Sequence, residues 1–267
     1  MEYAESQGSP KSRSRLGIAL MVVLALVGVW ALVKHFAGGS AASAGYEWDF
    51  TVLWKYRSLL ISGLLYTLLF TVICVVLGLL VGLLTGLGRL STNPYITAPL
   101  RAYIEVFRCT PVLVQLVWFY YALPVLTGLE LSATAAATLC LTLYGGAFYS
   151  EIVRGGIISI DSGQTEAGKA LGMTRLQLLR RVVLPQAFKK MVPPLMNQSI
   201  MQLKNTSLLS LLSVLAVPDL LYQGQVIAHD TYRPLELYTF IAIAYFAVLL
   251  PVTIWAKRME YGVVKEA

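Results

Sequence analysis

The sequence predicts an all-α integral membrane protein with about six transmembrane helices. Three observations carry that prediction: the composition, the blocks in which apolar residues come, and the placement of the basic residues. Hydrophobic residues make up 57% of the chain and charged residues 13%, against about 25% charged in soluble proteins. Charge-free apolar blocks cover 16–33, 58–88, 109–129, 131–150 and 237–256. A helix crossing the hydrocarbon needs about 20 apolar residues. A buried helix of a soluble domain seldom sustains one such run, and five in one chain read as spans.

Taken in order, the first block follows Lys11, Arg13 and Arg15 and has the flanks of a signal peptide. Its 18 residues are long for that role, and a retained helix is expected. The small residues of KHFAGGSAASAG keep cleavage open as the alternative. The next four blocks are spans by length. The stretch 191–217 is a sixth candidate, interrupted by Pro193, Pro194, Asn197, Gln198, Gln202, Lys204 and Asn205. Polar groups and prolines at membrane depth are tolerated where other helices or a water-filled cavity satisfy them. That stretch therefore reads as a pathway-lining helix. Gly78, Gly82 and Gly86 have GxxxG spacing, which lets helices pack closely.

Six spans place the loops alternately. Residues 1–15, about 89–101, 151–190 and 257–267 fall on one side and carry 15 of the 21 Lys and Arg. Residues 34–57, 124–130 and 218–236 fall on the other and carry 4. Basic loops mark the cytoplasmic side, so both termini are expected on the cytoplasmic side of a membrane crossed several times. The net charge of +7 thus reflects topology. A nucleic-acid partner would need a basic face on a folded soluble domain, and none is expected. Trp48 and Trp54 in YEWDFTVLWKY suit a segment lying in the lipid interface.

Cys74, Cys109 and Cys140 lie in apolar runs without metal or disulfide spacing, and packing thiols are expected. His35 and His229 are far apart and expected in loops. No metal site and no catalytic cluster follow from any of these residues, and no extramembrane segment is long enough for an independent catalytic domain.

The longest basic loop contains GQTEAGKALG at 163–172. Gly163, Gly168 and Lys169 have the spacing of a phosphate-binding P-loop, but Ala170 stands where a Mg-binding hydroxyl is needed. The loop has no room for the strand and sheet that such a motif requires, and Glu166 would place a carboxylate among phosphates. Nucleotide binding is excluded here. Asp161 or Ser162 can cap a helix whose positive end Glu166 favours. Gly172 punctuates it. A second helical pattern, with Leu176, Leu179, Val182 and Val183 on one side, follows until Pro185 ends or kinks it.

The stretch resembles the cytoplasmic loop of bacterial ABC-importer permeases, whose signature is E-A-A, three residues, G, nine residues, then I-x-L-P. Here Glu166-Ala167-Gly168 precedes Gly172 by three residues, and Val182 and Leu184-Pro185 close the motif. Gly168 and Val182 are departures, and Gly168 is expected to soften its helix by about 0.5–1 kcal/mol. Further segments narrow the resemblance to the polar amino-acid uptake branch: FRCTPVLVQL (107–116), EIVRGGIISIDSGQ (151–164), ALGM (170–173), RRVVLPQAF (180–188), KNTSLLS (204–210) and YRPLELYTF (232–240). Cys109 departs from a common Gly.

The resemblance implies a five-helix core over 57–260, with 1–56 as an N-terminal tail, extra helix and outer segment, and 261–267 as a tail. It implies a coupling helix within 155–190 that docks on separate ABC ATPase subunits through Ser162, Glu166, Ala167, Gly168, Leu171, Gly172, Leu184 and Pro185. ATP and Mg would be bound by those partners, leaving no cofactor and no enzymatic activity in this chain. The same resemblance implies a second permease subunit, identical or homologous, and an extracytoplasmic substrate-binding protein. The pathway would be worked by alternating access. An ion-gradient-driven transporter or a channel is the alternative, and it would not need the docking loop.

A zwitterionic cargo cannot shed water from both charges unaided, so the pathway needs polar groups at depth. Candidates are Glu105, Arg108, Thr110 and Gln115, then Tyr144, then Asn197, Gln198, Gln202, Lys204 and Thr206. Glu105 and Arg108 have the spacing of a local ion pair, and the amides also have the chemistry to bond across helices. Glu151 and Arg154 are expected as anchors at the membrane edge.

Overall fold

The computed structural model describes residues 46–211 and 217–266. The expected first span at 16–33, its cleavage alternative and His35 lie outside the described residues. The chain forms two compact units, Met1–Trp48 and Asp49–Ala267. Of the first, only 46–48 are described, where the Tyr46 and Trp48 rings meet edge to face at 5.7 Å.

The second unit is helical, and the described residues contain no strand. In chain order its helices are α1 (Thr51–Lys55), α2 (Arg57–Gly88), α3 (Pro94–Cys109), α4 (Val112–Thr127), α5 (Ala133–Ile158), α6 (Ser162–Ala170), α7 (Arg175–Leu178), α8 (Leu184–Thr206), α9 (Leu220–Thr231) and α10 (Pro234–Glu266). Three stretches are long and apolar enough to cross a membrane: α2, α5 and Pro234–Met259 of α10. The pair α3 and α4, bent by 109°, makes a fourth if the two halves count as one broken span. α8, expected as the sixth span, falls outside that set because its polar residues dilute it, so the described residues give three or four of the six expected spans.

α2 and α5 form the centre. The glycines at GxxxG spacing face α5: a methyl built on Gly82 would lie 2.4 Å from Tyr149 Cβ, and one on Gly86 would lie 2.8 Å from the Ser150 carbonyl oxygen. Only hydrogen at those positions lets the backbones approach this closely. In lipid the gain is van der Waals contact rather than the hydrophobic effect. Phe70, Cys74, Leu116, Phe119, Cys140 and Leu141 fill the adjoining core. Cys74 and Cys140 are packing thiols as expected, but Cys109 is exposed. It sits on α3, where Ile104 is the only buried residue.

Two regions expected as loops are helical. Residues 94–101 begin α3, with Asn93 Oδ1 accepting from Tyr95 N at 2.9 Å and Pro94 in the first turn, a position suited to proline. Residues 220–231, within an expected outer loop, form α9, and His229 lies on that helix rather than in a loop. Asp219 caps it by accepting from Tyr222 N at 2.7 Å, while Leu220 N donates to Thr67 Oγ1 on α2 at 3.0 Å. Leu220, Ile227 and Ala228 then pack with Leu60, Leu237 and Ile241. The stretch has no long apolar run, so its helicity rests on that cap and on tertiary packing.

Candidate functional site: the connecting loop and the polar spans

The 159–185 loop has a firm base and an exposed tip. Asp161, not Ser162, caps α6, its Oδ1 accepting from Gly163 N at 2.7 Å. The helix ends where Gly172 turns with φ +75°. Gly172 N donates to Lys169 O at 2.9 Å and Met173 N to Gly168 O at 3.1 Å. These bonds satisfy carbonyls that a helix end otherwise leaves open. Thr174 and Gln177 then form a reciprocal capping box that starts α7.

Proline at 185 neither ends nor sharply interrupts the second helix. The turn at Leu179–Val183 is a π-turn, and α8 starts at Leu184 with Pro185 in its first turn. A wider turn accommodates the missing N–H and the ring. It also shifts the helical phase. Leu178 and Val183 are buried, whereas Leu176, expected on the packed side, is 73% exposed. The base is completed by Val153, Ile160, Ala187 and Met191, and by Lys190 Nζ donating to Ser159 O at 2.9 Å. Gly168, the departure from alanine, is buried, and a methyl there would lie 2.4 Å from Leu178 Cδ1. The expected softening is therefore accompanied by a closer seat for Leu178.

Ser162, Glu166, Ala167, Leu171, Gly172 and Pro185 are exposed, and Leu184 borders on it. Leu171 is 79% exposed, an apolar side chain presented by a hydrogen-bonded turn.

The candidate polar residues of the spans divide into three sets. Gln115 is buried at the α3–α4 bend and braces it: its Nε2 donates to Phe107 O at 2.9 Å, to Thr110 O at 3.1 Å and to Thr110 Oγ1. Pro111 breaks the helix there by holding Thr110 extended. Gln202 is fully buried, donates to Leu141 O at 2.7 Å, and lies against Gly145. Thr206 is buried and donates to Leu203 O at 2.7 Å. These side chains bond across or within helices. Tyr144 meets the side chain of Asn205, a partner the sequence did not single out as a pathway residue.

Asn197 and Lys204 are exposed on α8 together with Lys190, Pro194 and Met201, and Gln198 is half-buried. Residues 190, 194, 197, 201 and 204 are spaced four, three, four and three apart and share one face of the helix. No described helix covers that face. Lys204 has no acidic partner among the described residues.

Glu105 and Arg108 do not pair with each other. Arg108 approaches Glu151 Oε1 at 3.9 Å, and its guanidinium lies 5.6 Å over the Phe148 ring. Glu151 also binds Arg89 through Oε1, and Arg154 through Oε2 at 3.3 Å. The i,i+3 spacing of Glu151 and Arg154 was legible in the sequence. Arg89 was not singled out there, although it ends the long charge-free run of α2 and so had to find a counter-charge.

Comparisons with known proteins agree with this architecture. Residues 77–265 match the model of the family described as binding-protein-dependent transport system inner membrane component. The glutamine transport system permease protein of Escherichia coli (strain K12) is 36% identical over 80% of this chain and 97% of its own length. A probable glutamine ABC transporter permease protein of Bacillus subtilis (strain 168) is 38% identical over 60% of this chain and 72% of its own. The crystal structure of an amino acid ABC transporter with histidines superposes with a TM-score of 0.75 at 37% identity, covering 81% of this chain and 99% of that one. A chain of the inward-facing MetNI methionine ABC transporter shares the fold, with a TM-score of 0.64 at 22% identity over the same shares. With the loop, the bent span and the helical core all in place, the chain belongs to the family of inner-membrane components of binding-protein-dependent transport systems.

Proposed function

We propose that this chain is the pathway-forming permease subunit of an ATP-driven importer of polar amino acids, working by alternating access. The observation that carries the reading is the loop: a packed base beneath a hydrogen-bonded tip on which Leu171 is exposed. Such a tip suits insertion into a groove of another protein, where Leu171 would be buried. The groove belongs to a separate ATPase subunit, which binds ATP and Mg. Ser162, Glu166, Ala167, Gly172, Leu184 and Pro185 flank the contact, and Gly168 seats it from within. Closure of the ATPases then reaches α5 and α8 through the packed base.

On this reading the tip and both termini face the cytoplasm, an orientation that the excess of basic residues in those segments supports. Asn197 and Lys204 on the open face of α8, and Arg108 with Glu105 on the sparsely covered α3, line the pathway. Gln115, Gln202 and Thr206 shape it from behind. The open faces of α3 and α8 call for a second permease subunit, and a binding protein delivers cargo from outside.

The test is reconstitution. The chain, its ATPase and its binding protein in proteoliposomes should take up labelled glutamine only with ATP, and Gly172→Asp should abolish cargo-stimulated hydrolysis. Uptake by the chain alone, driven by an ion gradient, would overturn the reading in favour of an ion-coupled carrier.

A further inference from the structure

Lys55 is the last residue of α1 and Arg57 the first of α2. With Ser58, Ile61, Ser62 and Leu65 they line an open groove of about 670 Å³. Both cations are exposed, and neither has an acidic partner among the described residues. Residues 34–57, 124–130 and 218–236 hold four Lys and Arg between them, and two of the four stand here, one residue apart from each other. The groove lies ahead of residues 77–265, the part matched by the family model.

The surroundings fix its depth. Arg57 Nη1 donates to Trp54 O at 2.9 Å, and the guanidinium lies 4.6 Å over the Trp54 ring. That leaves the other guanidinium N–H groups for a ligand. Trp54 is 73% exposed, and Phe50 beside it is exposed as well. Exposed tryptophans of a membrane protein settle at headgroup level, which puts the two cations at the depth of lipid phosphates. From Ile61 an exposed apolar row continues through Leu65, Leu69 and Val72, at spacings that keep it on one face of α2. The row runs about 16 Å at 1.5 Å per residue, roughly half of a hydrocarbon core about 30 Å thick. It therefore has the length of one leaflet.

We propose that this groove holds one anionic phospholipid, its phosphate between Lys55 and Arg57 and an acyl chain along the row from Ile61 to Val72. Ser58 adds a hydroxyl donor at the headgroup. A free phosphate would meet the two cations in water, where screening leaves exposed pairs little strength. A lipid arrives already confined to the right depth. A zwitterionic lipid brings its own cation and forfeits much of the attraction, so the site favours net negative headgroups by roughly fivefold for each basic residue. Bound there, the lipid holds the elbow between α1 and α2 at the interface. The proposal does not depend on what the pathway carries.

The test uses the full chain in nanodiscs of equal phosphatidylglycerol and phosphatidylcholine, released into mild detergent, with retained lipids counted by native mass spectrometry. One phosphatidylglycerol per chain should remain, favoured over phosphatidylcholine by about 25-fold. Lys55→Gln combined with Arg57→Gln should lose that preference, and Lys55→Arg should keep it. If the double variant assembles poorly, Lys55→Gln alone carries the test with about a fivefold loss, because Lys55 is exposed and lies over the adjacent Tyr56 ring at 5.4 Å. Excess soluble glycerol phosphate should fail to displace the lipid. Equal retention of both lipids by the parent chain, or a preference left intact by the neutralising variants, would overturn the site. Displacement by glycerol phosphate would overturn its assignment to a lipid in favour of a free anion.

Discussion

Gly172 takes a φ of +75°, with open space around its missing side chain. The constraint is therefore backbone conformation and not crowding. Gly172→Ala should cost about 1 kcal/mol, the left-handed penalty for an L-residue. Gly172→Asp should leave insertion intact while cargo-stimulated ATPase activity disappears, and unchanged stimulation in an assembled complex would refute the role. Gly82 is the opposite case. Its φ is ordinary and its space is filled by Tyr149 Cβ, so Gly82→Leu should destabilise by about 1–3 kcal/mol through overpacking. Gly155, with nothing within 4 Å, is the control, and Gly155→Ala should leave the thermal midpoint of the solubilised protein unchanged or slightly raised. A charge in lipid at the bilayer centre costs about 2.5–3.5 kcal/mol, so Lys204 calls for a wet or paired setting such as the pathway. Lys204→Met should lower transport sharply with expression retained; transport at the parental rate would reduce Lys204 to a snorkelling residue.

Among the elements, the bent span and the Glu151 hub make contrasting demands. Gln115 holds the bend by giving its amide hydrogens to Phe107 and Thr110. Gln115→Leu keeps the volume but orphans those acceptors, at about 1–3 kcal/mol, seen as a lower thermal midpoint. The hub is asymmetric. Removing Glu151 leaves three arginines facing each other, whereas removing one arginine leaves Glu151 two partners. A fully buried pair costs about 3–5 kcal/mol to break. Here Arg108 is 45% exposed and water screens part of the repulsion, so Glu151→Gln should cost about 2 kcal/mol. The order of midpoints should put Glu151→Gln below each single Arg→Gln variant, and the reverse order would show that the arginines find other acceptors.

Across the whole molecule, the basic loops give an expected orientation. Gly128 turns at the end of α4 in the segment expected outside, Gln177 lies in the loop expected inside, and both positions are exposed. A cysteine at Gly128 should label from outside with an impermeant thiol reagent and one at Gln177 should not. Cys109 is exposed, so the assay belongs in a Cys109→Ala background. Labelling at Gln177 in intact cells would invert the proposed topology.

The sequence by itself determined the helical membrane class, the GxxxG contact and the loop motif, because charge-free length, three-to-four-residue spacing and glycine punctuation are local properties. It also marked 191–217 as polar enough to avoid lipid. It could not place α9, whose cap reaches from Asp219 and whose first N–H is held by Thr67 far away in the chain. Nor did it separate Gln115 and Gln202, which spend their amides on backbone carbonyls, from Asn197 and Lys204, which face outward. All four are polar residues in apolar company, and only packing decides which side of the helix meets a neighbour. The partner of Arg108 was likewise a tertiary decision. Glu105 stands at the right spacing on its own helix, but the packing of α3 beside α5 brings Glu151 within 3.9 Å of Arg108, and no spacing along the chain shows that approach.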